Sequence, residues 1–288
     1  MEKHIEQASK LLKSEGINST YLPQVSIFTA KSSTERAPLV YNQGVIFMLQ
    51  GEKCIHTESD TFTYNRENLL VITVPMPLEC QGIVKDNKPM IAVVMDIEIS
   101  LLNQLINMME GTSTISKVDK GDRDKGLFVS KLNESIKDAL LRLLICLQDP
   151  FEASVLGNNI IKELIFYILK QREAAPLFAL AMKNTNLSKI EIALKDVQSN
   201  YSKQFNVDAL AKSVNMSVSS FHHTFKNVTS SSPIQYLKKI RLNKAKDFLT
   251  NEKYSVGEAA TNVGYESVSQ FNREFKRYFG VTPGSLNK

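Results

Sequence analysis

The side chains here suited to catalysis or metal binding are few. The imidazole and thiol groups are His4, His56, His222 and His223, with Cys54, Cys80 and Cys146. None stands at the short spacing to another ligand that a zinc or iron site needs. No Ser/His/Asp or Cys/His arrangement and no glycine-rich phosphate loop stands out. No cofactor or metal is expected. What does recur is a decapeptide: SVSSFHHTFK (217–226) returns as SVSQFNREFK (267–276), identical at six of ten positions. Its second copy holds Asn272 and Arg273. Asn can bond adenine N6/N7 and Arg can bond guanine O6/N7, both in bidentate fashion. The chemistry offered is the reading of base edges by hydrogen bonds.

Such reading needs an element that enters a groove. At about 100° per residue, Val218, Phe221 and Phe225 fall on one side of a helix, as do Val268, Phe271 and Phe275. These are expected core positions. The other side carries Ser219, His222, His223 and Lys226 in the first copy, and Ser269, Asn272, Arg273 and Lys276 in the second. Ser217 and Ser267 open the two helices as N-caps. A short helix rich in small residues precedes each, VDALAKSV or SVGEAATNV, joined by a tight turn. This is the helix-turn-helix pattern. Val207, Ala211 and Val214 recur at Val256, Ala260 and Val263, and Pro233 recurs at Pro283, so the whole unit is duplicated.

Between the units, residues 233–250 predict one helix with Pro at its first turn. It carries Lys238, Lys239, Arg241, Lys244 and Lys246, and its apolar residues are placed to touch both units. A strut of roughly 26 Å could hold two reading helices about one DNA turn, roughly 34 Å, apart. Net charge agrees. Residues 200–288 hold 13 Lys/Arg against 6 Asp/Glu, whereas residues 1–199 hold 22 against 24. A basic last third on a near-neutral body suits a polyanion partner.

The earlier half reads differently. Short runs rich in Val, Ile, Phe and Thr, from VSIFTA to PMIAVVMDIEI (25–97), are broken by Gly, Pro, Asn and Asp turns and predict a β-sandwich or barrel. Helical periodicity follows at 99–110, 130–149 and 151–174, the last with a wide apolar stripe suited to the barrel or to a second copy. The weakly patterned stretch 176–186 is the expected linker. The polar N-terminus has no apolar h-region, the longest apolar runs fall far short of a membrane span, and three dispersed cysteines suit a reducing compartment. The cysteines read mainly as small core residues, with a Cys54–Cys80 pair or redox sensor as the alternative.

The motifs SVSSFHHTFK, SPIQYLKKIRLNKAKDFL and VGYESVSQFNREFKRYFGVTP make residues 187–288 resemble the DNA-binding domain of the AraC/XylS family of bacterial transcription regulators. More loosely, VYNQGVIFMLQGEK and LLVITVPMPLECQ resemble an AraC-type N-terminal effector domain. The resemblance implies an α+β two-domain chain. A cupin-like β-barrel followed by helices (1–175) would sense an effector and dimerise, a linker would span 176–186, and an all-α domain with two helix-turn-helix units joined by a long helix would fill 187–288. It implies a cytoplasmic, effector-responsive activator whose helices 217–226 and 267–276 read successive major grooves of double-stranded promoter DNA. Ser219, His222, His223, Ser269, Asn272 and Arg273 match the family's base-contacting positions. Ser217, Lys226, Ser267, Lys276 and Lys238 are the expected phosphate contacts. Many relatives carry Trp, Gln or Arg in the first helix, so its Ser and His imply a weaker or pH-sensitive contribution. RNA polymerase, a small-molecule effector and a second copy through 152–172 are the further implied partners; no effector-binding residue is assigned. The opposing reading, a metal-dependent cupin enzyme, needs two or three His and a carboxylate converging in the barrel. Residues 25–97 contain only His56. An architectural DNA binder without sequence preference would not need Asn272 and Arg273 on the reading face.

Overall fold

The computed structural model describes residues 1–58, 60–109 and 123–286. A first helix, α1 (Glu2–Ser9), leads into nine strands: β1 (Gly16–Ser19), β2 (Val25–Ala30), β3 (Thr34–Tyr41), β4 (Gly44–Gln50), β5 (Glu52–His56), β6 (Thr61–Asn65), β7 (Asn68–Ile72), β8 (Met76–Ile83) and β9 (Met90–Asp96). After α2 (Ile99–Met109), strand β10 (Leu127–Lys131) completes two antiparallel sheets. One runs β1-β2-β9-β4-β7-β10, the other β3-β8-β5-β6. They face each other: Met90 of β9 lies over Gly82 of β8, and Lys53 of β5 over Phe28 of β2. The larger sheet is covered on its other face by helices. That is why β4 is buried from Gly44 to Leu49 rather than at alternate residues.

The helices α3 (Glu134–Cys146), α4 (Pro150–Leu169) and α5 (Ala175–Ala181) follow. Asn133 caps α3 by accepting from Ile136 N, and Asp149 caps α4 with Pro150 at its first position. Two expectations are corrected here and one strand is added. The predicted helix from 130 starts at Glu134, because Leu127–Lys131 pairs with β7. Strand β8, masked in the sequence by Pro75, Pro77 and Gly82, is central to the smaller sheet. The expected linker begins with a helix, α5, in which Pro176, Leu177, Phe178, Ala179 and Leu180 are buried. Pro sits where a first helical turn tolerates it, and the apolar run supplies a face to bury. Glu110, the end of the helix expected over 99–110, lies outside the described residues.

The remaining chain is helical: α6 (Asn186–Ser199), α7 (Val207–Ser213), α8 (Val218–Thr229), α9 (Pro233–Thr250), α10 (Val256–Asn262) and α11 (Val268–Phe279). Its packing is asymmetric. Phe221, Phe225, Tyr236, Leu237 and Ile240 belong to one apolar core that runs without a break into the β-domain. Leu242, Ala245, Leu249, Ala259, Ala260, Val263, Tyr265, Phe271 and Phe275 form a separate core. The strut α9 therefore spends its first half on one unit and its second half on the other. At the seam with the β-domain, Tyr236 Oη donates to Pro75 O at 2.9 Å. Gly126 passes so close to Val228 that a Cβ would stand 2.2 Å from its carbonyl oxygen.

Candidate nucleic-acid interface

The two copies of the decapeptide fold alike for local reasons. Ser217 Oγ accepts from Ser220 N, and Ser267 Oγ accepts from Gln270 N. The preceding turns bend at Asn215 (φ 54°) and Gly264 (φ 85°), and the helices end at Ser230 (φ 55°) and Gly280 (φ 76°), all left-handed. Glycine is the cheap residue at such a stop, so the second copy carries less strain at both bends. In α10, Ser255 and Glu258 form a reciprocal capping box.

Phe221, Phe225, Phe271 and Phe275 are fully buried, with Phe221–Phe225 and Phe271–Phe275 ring centroids both 5.4 Å apart. Val218 and Val268 were expected beside them, but are 38% and 42% exposed. Each is the first helical residue, and at the end of the helix it projects past the core. The opposite face is as expected in exposure: Ser219, His222, His223 and Lys226 on α8, and Ser269, Asn272, Arg273 and Lys276 on α11, are all exposed. Among the described residues, no side-chain hydrogen bond or ion pair engages His222, Asn272, Arg273 or Lys276. His223 Nε2 lies 3.1 Å from Asn227 Nδ2. Lys226 Nζ reaches Glu58 of the β-domain at 3.6 Å, so the last turn of α8 touches an acidic loop.

Lys238 takes a different place from the one expected. Its Nζ lies 2.8 Å from Glu274 Oε1, while Tyr265 Oη and Gln270 Nε2 bond the same carboxylate. Burial alone would push Glu274 up; these bonds outweigh it and hold the carboxyl below its ordinary value. The pair ties α9 to α11 and is spent inside the protein. At the equivalent position of the first copy, Thr224 is buried.

Arg241 has a role that its charge alone did not disclose. Its guanidinium donates to Tyr201 O (2.7 Å), Gly264 O (3.0 Å) and Lys203 O (2.9 Å). The α6–α7 connection is thereby fastened to the turn of the second helix-turn-helix. A Cβ at Gly264 would meet Ser202 O at 2.3 Å, so this approach requires glycine. Arg277 on α11 is also exposed and, one turn beyond Arg273, continues the basic face past Lys276.

Elsewhere, Cys54 and Cys80 occupy opposite faces of the smaller sheet, since Ile55 is the residue opposite Cys80 and neighbours alternate in side. The three cysteines are free. In α4, Ile160, Ile161, Leu164, Ile165, Ile168 and Leu169 are buried within this chain. The stripe expected to meet a second copy is thus largely used, leaving Phe151, Val155 and Leu156 exposed. Among the described residues no group of three or more His, Cys, Asp or Glu is placed to hold a metal, and no helix is long and apolar enough to cross a membrane.

Two helix-turn-helix units on one strut, each showing a polar, basic face beside a buried aromatic pair, define a DNA-binding helical domain attached to a two-sheet domain. The sequence profile of the AraC-type transcriptional regulator N-terminus matches residues 21–176, and a helix-turn-helix domain profile matches 210–288. The chain belongs to the AraC family of transcriptional regulators. It is 32% identical over 134 residues to the raffinose operon transcriptional regulatory protein RafR of Pediococcus pentosaceus, covering 46% of this chain and 47% of that one. It is 31% identical over 94 residues to the Msm operon regulatory protein of Streptococcus mutans, covering 33% of this chain and 34% of that one. The chain thus spans a third to a half of the length of these relatives. In fold it is similar to ToxT of Vibrio cholerae in its unsaturated fatty acid-bound form, with a TM-score of 0.61, 13% identity, and coverage of 96% of this chain and 97% of that one.

Proposed function

We propose that this protein is a sequence-specific transcription regulator of the cytoplasm. It reads two successive major grooves of promoter DNA with α8 and α11, and answers to a small-molecule effector held by its β-domain. The observation that carries the reading is the exposed, unengaged Asn272–Arg273 pair on a helix whose other face is locked into its own aromatic core. Ser219, His222, His223 and Ser269 complete the base-facing set. Ser217, Lys226, Ser267 and Lys276 lie at helix ends and flanks, where phosphates are met. Lys238, engaged by Glu274, is not carried into that set. The second helix is the stronger reader, because Arg and Asn make the bidentate pairs that Ser cannot.

The effector reading is supported by the family and by two ToxT structures with bound acids. One is bound to an unsaturated fatty acid, the other to (E)-4-(8-methylnaphthalen-1-yl)but-3-enoic acid. The seam between the β-domain and the first helix-turn-helix is the route by which an effector would act, since one apolar core spans both. Homodimerisation through the first turns of α4, where Phe151, Val155 and Leu156 are exposed, and contact with RNA polymerase complete the proposal. The assay is binding to target DNA found by genome-wide mapping. Arg273→Ala loses about 1–3 kcal/mol on the target and little on random DNA. An equal loss on both sequences refutes base reading by Arg273.

A further inference from the structure

Between the two sheets lies a group of polar side chains that the DNA-binding reading does not use. Lys53 on β5 points into this space, as its cross-strand neighbour Tyr64 does. Its Nζ stands 4.6 Å from the Phe28 ring centroid and 5.8 Å from that of Tyr41. Opposite Lys53 on the other side is Gly82, which offers no side chain; Met90 from the facing sheet fills the space above it. Among the described residues Lys53 has no carboxylate partner, and Cys80 is the one group favouring its charge. Burial pulls its pKa down from the ordinary lysine value.

The two tyrosines share this isolation. Tyr64 is fully buried and Tyr41 is 5% exposed, and among the described residues their hydroxyls have only each other and Cys80 within reach, none in good hydrogen-bond geometry. They lie near enough to each other and to Cys80 to be perturbed: burial first, then these neighbours, raise the Tyr41 pKa, and burial raises that of Tyr64. Both are therefore neutral O–H groups at physiological pH. Buried hydroxyls without partners are uncommon, and a buried ammonium without an anion is costly. Together the ammonium and the two phenols form a donor-rich cluster on one inner surface, with no carboxylate among the described residues placed to accept from it.

We propose that Lys53, Tyr41 and Tyr64 form the head-group site of the effector, and that the effector is a monocarboxylate. The identification rests on the effector reading given above. A monoanion balances the single positive charge, whereas a phosphate dianion would leave charge stranded in an apolar interior. Its two oxygens accept from the ammonium and the phenols, and the ammonium–carboxylate bond is of the stronger, charge-assisted kind. Phe28, Ile55 and Leu78 belong to the apolar core around this cluster, and the adaptable Met90 side chain beside it would move aside to admit an apolar tail.

The experiment titrates full-length protein with acetate, benzoate and octanoate, with benzyl alcohol and octanol as uncharged controls, by calorimetry and thermal shift. At least one carboxylate binds and raises the melting temperature, and the alcohols do not. Lys53→Met, which keeps an apolar chain of similar length, weakens carboxylate binding at least about tenfold, as expected for losing a charge-assisted hydrogen bond. Tyr64→Phe weakens it about threefold or more. Without ligand, Lys53→Met melts at the wild-type temperature or above, because it removes a charge the fold alone does not satisfy. No response to any carboxylate, equal binding by Lys53→Met, or a lower melting temperature of the free variant each overturns the proposal, the last by showing that Lys53 is structural. Target-DNA binding is measured on the same samples. Specific DNA binding without a carboxylate response rejects this site and leaves the regulator reading standing; carboxylate binding without DNA binding rejects that reading.

Discussion

Phe271→Ala and Phe221→Ala change the same side chain at equivalent positions, and the structure predicts different failures. Both phenylalanines are fully buried. A buried Phe→Ala costs about 3–5 kcal/mol through lost transfer energy and the cavity left behind. Phe271 also loses an edge contact with Tyr265 (centroids 5.3 Å) and a tilted one with Phe275 (5.4 Å), which places it near the top of that range. Among the described residues its core holds nine buried side chains, and it meets the rest of the protein through the partly buried Tyr201, the Arg241 clamp and the Lys238–Glu274 pair rather than through a shared buried core. A unit that small is stabilised by roughly 3–5 kcal/mol in total, so the loss matches the whole. Phe271→Ala therefore unfolds α10 and α11 locally while the β-domain and first unit stay folded. Phe221 belongs to the large continuous core, so its loss is drawn from global stability and lowers the main melting transition. Hydrogen-exchange mass spectrometry separates the two outcomes. In Phe271→Ala, amides of residues 256–279 lose protection and those of β4 and β9 keep it; in Phe221→Ala, protection falls throughout. Wild-type protection of α11 in Phe271→Ala, or the same pattern in both variants, refutes the two-core argument.

Arg241→Ala removes three charge-assisted bonds to backbone carbonyls and frees the second unit from the α6–α7 connection. It is expected to weaken target binding about tenfold, roughly 1.4 kcal/mol, and to relax the penalty for inserting one base pair between half-sites; an unchanged spacing preference on such DNA variants counts against the clamp. His4 gives a pH dependence. Its Nε2 donates to Lys137 O at 2.8 Å, and burial holds its pKa below the ordinary 6.5. The unfolded chain then binds the proton more readily, so stability rises with pH up to about 6.5 and is lost as pH falls through the folded-state value. Melting temperature measured from pH 7 to pH 5 should fall in the wild type and fall less in His4→Gln, which itself costs about 1 kcal/mol at pH 7.

The sequence by itself determined the helical third. Two aromatic pairs at helical spacing, Ser at both N-caps and a repeat of fifty residues specify α8 and α11 with their buried and exposed faces, because local periodicity decides which side chains share a side. It also marked most strands, through β-branched runs between turn residues. Tertiary structure decided what depends on partners distant in the chain. Strand β8 exists because β3 and β5 flank it, despite its prolines. Residues 127–131 are a strand because β7 is there to pair with them, and 175–181 are helix because a core waits for their apolar face. Val218 and Val268 share the period of the core yet stand outside it, since a first-turn residue projects beyond the packed interface. The destination of a charge was least legible of all. Lys238 goes to Glu274, Arg241 to three carbonyls, and Lys53 inward between two sheets, while Lys276 and Arg273 face solvent. A lysine or arginine in sequence has reach but no direction, and only the packed fold supplies the partner that fixes it.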